Sequence, residues 1–131
     1  MNLFELEDSF PNGLHDANLR RVVVDYVERT AILDFEIDVS NTETHSDLYR
    51  PARITLSSFA YFAIEPPDSS YPFREAGAVT VDLSAPEKPF VPGCESESAF
   101  RLFISDFNSF IYADAPEAQL EWLGEAAPRW L

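Results

Sequence analysis

Seven consecutive residues constrain this chain more than any others: Leu33, Asp34, Phe35, Glu36, Ile37, Asp38 and Val39 alternate apolar and acidic side chains. A period of two places Leu33, Phe35, Ile37 and Val39 on one face of a strand and three carboxylates on the other. The segment therefore reads as a half-buried antiparallel strand. Residues 19–27 form a second strand candidate, and Glu28-Arg29-Thr30-Ala31 suits a tight hairpin link to a strand at 32–39. Setting Tyr26 opposite Leu33, Val24 opposite Phe35 and Val22 opposite Ile37 makes one side continuously apolar. A slip of one residue would put acids against that row. On the outer side this register sets Arg21 against Asp38 but Asp25 against Asp34. Solvent, a bulge, a cation or a basic partner has to relieve that like-charge pair.

The remaining segments extend the same pattern. Residues 1–18 are an acidic lead-in closed by the turn signal Phe10-Pro11-Asn12-Gly13. Ser40 to Pro51 is a polar connection without periodicity. Ala52 to Glu65 reads as a long strand, with a bulge near Ser57-Ser58 or a central, doubly covered position behind its change of pattern, ended by Glu65-Pro66-Pro67-Asp68. Ala78 to Leu83 alternates again, 84–98 is a loop with three prolines, and Phe100–Ile104 with Phe107–Ala113 suggest a hairpin around Ser105-Asp106. In 114–124, Asp114, Pro116 and Glu117 resemble a helix start, yet Ala118, Leu120 and Trp122 alternate with Glu117, Gln119 and Glu121, which favours a strand. The expected fold is mainly β: an antiparallel β-sandwich or curled sheet of six or seven strands, with room for one short C-terminal helix.

A chain of 131 residues with eleven Phe, five Tyr and two Trp can bury a core as a single domain, 1–131. Nine basic against 23 acidic residues give a net charge of −14, which disfavours gripping nucleic-acid phosphates or an anionic membrane. The single Cys94 excludes an intrachain disulfide. Met1 to Asp8 lacks the basic and apolar parts of a signal peptide, and Leu56 to Ile64 is too short to span a bilayer, so a cytoplasmic location is expected.

Motifs that carry chemistry are few. His15 beside Asp16 invites an acid–base reading. In an extended segment, however, neighbouring side chains point apart, leaving Asp16 to close the turn and His15 to bond backbone. Ser9, His15 and Asp16 lack an elbow or oxyanion-hole sequence, and the carboxylates of Glu95 and Glu97 disfavour a Cys94 thiolate. No glycine-rich phosphate loop occurs among the four glycines. Asp34, Glu36 and Asp38, with Asp25, could suggest a hard cation, but same-face strand neighbours stand roughly 7 Å apart and do not converge. His45 lies in a polar loop with Glu43 and Asp47 and has no partner histidine at ligand spacing. Neither catalytic residues, a metal nor a cofactor is expected. Five acids between Asp34 and Asp47 and five more from Asp106 to Glu125, with no base among either set, would form a negative patch if they lie together.

Phe10-Pro11-Asn12-Gly13-Leu14-His15-Asp16-Ala17, followed by a hairpin, resembles the opening of small uncharacterised bacterial proteins with a Phe/Leu-His-Asp-Ala element, some grouped as immunity proteins of polymorphic toxin systems. Asp106-Phe107-Asn108-Ser109-Phe110-Ile111 and Leu120-Glu121-Trp122 are similar to the same group. The resemblance implies a cytoplasmic protein that binds and blocks a toxin, with no catalytic residues. The leading expectation is thus a non-enzymatic domain that binds a basic protein through Asp25, Asp34, Glu36 and Asp38, with His15 and Asp16 as a second candidate site. Two alternatives stand beside it: a small-ligand-binding or enzymatic domain with a pocket lined by Phe59, Tyr61 and Phe107, and a DNA mimic. Exposed apolar edges would make the chain a homodimer.

Overall fold

A computed structural model of the chain describes residues 1–40, 47–70, 79–93 and 95–128. It is mainly β. Among the described residues one short helix, α1 (Leu3–Glu7), precedes nine strands: β1 (Ala17–Asp25), β2 (Thr30–Asp38), β3 (Leu48–Ser57), β4 (Tyr61–Ile64), β5 (Thr80–Ser84), β6 (Ala99–Ile104), β7 (Ser109–Asp114), β8 (Glu117–Trp122) and β9 (Ala127–Pro128). The strands form one antiparallel open sheet in the order β4-β7-β6-β5-β1-β2-β3-β8, with β9 also paired to β3. The expected curled sheet is present with more strands than anticipated. Residues 117–122 are a strand, and the short helix lies at the N-terminal end instead of the C-terminal one.

The alternating segment behaves as its period dictates: Leu33, Phe35 and Ile37 are buried while Asp34, Glu36 and Asp38 face outward. The expected register is corrected by four residues. Leu33 pairs with Val22, Val24 with Ala31, Asp25 with Thr30 and Asp34 with Arg21. The cause is the turn. The Asp25 carboxylate accepts from Val27 N at 3.0 Å and Glu28 N at 2.9 Å, so the chain reverses directly after Asp25. Arg29 completes the reversal at φ +57°. A slip of four is even, so from Arg21 to Asp25 every side chain keeps its face. Tyr26 leaves the apolar row and lies in the turn, its ring edge-on to Phe59. A bulge at Arg20, between the Leu19–Phe35 and Arg21–Asp34 pairs, returns Ala17 and Leu19 to the inner face.

The long strand expected over 52–65 divides at Ser58, whose φ is +58°. β3 and β4 are three residues apart in sequence but lie near opposite ends of the strand order, which curls the sheet. β7 and β8 make the same crossing through Ala115-Pro116. Backbone bonds hold the corner: Phe59 N to Arg29 O at 3.2 Å and Ala60 N to Asp114 O at 2.8 Å. A left-handed backbone is costly for a non-glycine residue. Ser58→Gly should therefore stabilise the protein by about 0.5 kcal/mol, after the added unfolded-state freedom of glycine is subtracted; chemical denaturation measures it.

Both halves of the curl share one core, with Phe35, Ile54 and Leu56 from one side and Phe100, Leu102 and Ile111 from the other. The lead-in closes one end. Asn2 and Glu5 form a reciprocal capping box, Leu3 and Leu6 are buried, Ala118 N bonds Met1 O at 2.7 Å, and Phe10 packs edge-on to Trp122. Among the described residues, no helix is long and apolar enough to cross a membrane.

Candidate functional site

The acid row of β2 is matched by arginines. Asp34 lies opposite Arg21 on one side and Arg53 on the other. Arg53 grips its carboxylate in a fork, with Nε at 2.8 Å and Nη2 at 3.1 Å, and Arg21 Nε stands 3.5 Å away. The Arg53 hydrogen bond holds the Asp34 carboxyl below its ordinary range. Arg20 Nη1 bonds Glu36 Oε1 at 2.5 Å. Asp38 accepts from Ser40 N at 2.9 Å, and Asp25 organises the hairpin turn. The expected repulsion between Asp25 and Asp34 does not arise, because the actual register separates them. The face is a network of alternating charges.

His15 and Asp16 are brought together by a turn that the extended reading did not foresee. Ala17 N bonds Leu14 O at 3.1 Å, and Asp16 has φ +58°, so both side chains emerge from the tip of the reversal. His15 Nε2 stands 3.4 Å from Asp16 Oδ2, while Nδ1 stands 2.5 Å from Asp82 Oδ1 on β5. The anticipated backbone partner of His15 is replaced by Asp82. The Asp82 hydrogen bond and charge, followed by the charge of Asp16, raise the imidazole pKa above its ordinary 6.5. The ring is largely exposed, at 72%. Beside it opens a cleft of about 410 Å³ lined by Glu7, Asp8, Asn12, Gly13, His15 and Asp82 among others. Glu7 accepts from Leu14 N at 2.9 Å. Gly13 is required beside it: its φ is +60°, and a β-carbon there would meet the Glu7 side chain at 3.2 Å.

A second feature occupies the outer face of β4, β6 and β7. Phe103 and Phe110 are cross-strand partners with ring centroids 5.0 Å apart. Phe110 meets Tyr112 at 5.6 Å, Tyr112 stacks on Phe90 at 4.8 Å, and Phe90 meets Tyr61 at 5.2 Å. The Arg101 guanidinium covers Phe110 at 5.1 Å. Five rings thus form one continuous row outside the core, each contact worth about 0.5–1.5 kcal/mol beyond its burial. Asp82 pairs directly with Phe103, so the row runs up to the His15 cluster. Sequence reading missed it because β6 carries aromatics on both faces, Phe100 inward and Phe103 outward, because the inner face of β7 holds the smaller Ser109, Ile111 and Ala113 while its rings face out, and because the loop residue Phe90 carried no period. The aromatics anticipated to line a pocket do not converge: Phe59 is in the core, Tyr61 lies in the outer row, and Phe107 is in the β6–β7 turn. His45, Glu43 and Cys94 lie outside the described residues.

Fold and outer face together define an acidic, antiparallel β protein carrying an external aromatic row. Comparison with known proteins finds no matching family model, no matching curated protein and no matching solved structure.

Proposed function

We propose that this protein is a non-catalytic protein-binding domain, an inhibitor of the immunity type that engages a basic partner protein through the outer face of β4 to β7. The observation that carries the reading is the row Phe103, Phe110, Tyr112, Phe90 and Tyr61, held outside the core. Aromatic and arginine side chains dominate the energetics of protein interfaces, and Arg101 lies on this row. A net charge of −14 favours a cationic partner and speeds its encounter. The sequence resemblance to immunity proteins points to a toxin as that partner.

The test is affinity capture from the native cell with wild type, Phe90→Ala/Tyr112→Ala and Asp34→Lys/Glu36→Lys. A basic protein retained by wild type should be lost at least tenfold with the aromatic variant, and it should poison cells that lack this chain. Retention by the aromatic variant together with loss by the lysine variant would move the interface to β2. Partners unaffected by either pair would remove the proposal.

A further inference from the structure

We infer that His15 and Asp16 form a binding site for a zinc-class divalent metal ion, with Asp82 as the carboxylate that orients the imidazole. His15 Nε2 and Asp16 Oδ2 are 3.4 Å apart, too far for a good hydrogen bond. That spacing instead matches the edge of a coordination sphere. With metal–nitrogen and metal–oxygen bonds near 2.1 Å, two ligands at a tetrahedral angle stand about 3.4 Å apart.

The other ring nitrogen supplies the second argument. Nδ1 lies 2.5 Å from Asp82 Oδ1, so the proton of a neutral imidazole sits on Nδ1 and the lone pair is on Nε2, the atom that faces Asp16. Metal-bound histidines are commonly held in this way, the far nitrogen donating to a carboxylate that fixes tautomer and ring angle. His15, Asp16 and Asp82 hold their polar atoms within 4.8 Å of one another, so the two ligands and the orienting carboxylate form one cluster. One imidazole nitrogen with one carboxylate oxygen favours a borderline ion such as Zn²⁺ over Mg²⁺ or Ca²⁺, which prefer all-oxygen shells. Both ligands are more than half exposed, so water or a side chain of another molecule can fill the remaining positions.

The site is distinct from the aromatic row and is tested without reference to any partner protein. Titration calorimetry with Zn²⁺ on the whole chain near pH 7.5 should show one saturable site. His15→Ala and Asp16→Asn should each weaken it at least tenfold. Asp82→Asn should weaken it tenfold to a hundredfold, as loss of an orienting carboxylate does. These side chains are exposed, and asparagine tolerates the left-handed backbone at position 16, so the variants should melt like wild type. In nitrogen-resolved NMR, Zn²⁺ should shift Nε2 of His15 while Nδ1 keeps its proton. Absence of saturable Zn²⁺ binding overturns the assignment. So does binding that survives His15→Ala but is lost in His45→Ala, or metallation of Nδ1 in place of Nε2.

Discussion

Phe35→Ala should cost about 3–5 kcal/mol of folding stability, and Phe100→Ala a similar amount, because each removes a ring from a close-packed interior that can collapse only partly around the gap. Phe35 and Phe100 are each 1% exposed and lie on opposite halves of the curl, on β2 and β6. A domain of this size has roughly 5–15 kcal/mol in total, so either change removes a large share and the double variant should be mostly unfolded. The shared core adds a qualitative expectation. Each single variant should melt in one transition, with the signals of Trp122 on β8 and of the aromatic row moving together. Two separated transitions would show that the halves are independent, against the packing described above.

The second large effect lies at Asp34, held by Arg53 and Arg21 with its side chain 15% exposed. Asp34→Asn keeps the shape but removes the charge, leaving two guanidinium groups facing an amide. The expected loss is about 1–2 kcal/mol at neutral pH, reduced from the cost in a dry interior because water reaches both arginines. The pH dependence follows from the sign of the shift. Arg53 lowers the carboxyl pKa in the folded state below its ordinary 3.8. The stabilisation is therefore complete above the unfolded value and is lost as pH falls through the folded one. Acid titration of stability below about pH 4 should consequently be shallower in Asp34→Asn than in wild type. Equal slopes would show that the fork does not persist in solution.

Particular residues show how far the sequence could be read. The period of Leu33 to Val39 was sufficient for β2, because alternation against a core has one solution for each side chain. The change of pattern at Ser57-Ser58, though not the division of the strand there, was also legible, as were the β6–β7 hairpin and the strand at 117–122. The β1–β2 register was not, since an even slip leaves the faces from Arg21 to Asp25 unchanged and the deciding bonds are donated by the turn amides to Asp25. α1 is a five-residue helix, too short to establish a period, although Asn2 and Glu5 stood at capping-box spacing. The arginine fork on Asp34 required knowing which residue of β3 lay opposite. Asp82 was beyond reach for a different reason: β1 and β5 are neighbours in the sheet with three strands between them in the chain, and no local pattern reports such a pairing.

That junction has a mechanical consequence. β1 and β5 share two residue pairs, Ala17–Val81 and Asn18–Thr80, reinforced by Leu19 N to Val79 O at 2.8 Å, whereas β2 and β3 are zipped along nine. The line between β1 and β5 is thus a seam, where breathing motions concentrate while the β2–β3 ribbon stays shut. The exposed His15–Asp82 contact crosses it at one end as a local tie, adding little to the stability of the whole curl while marking where it would first gape.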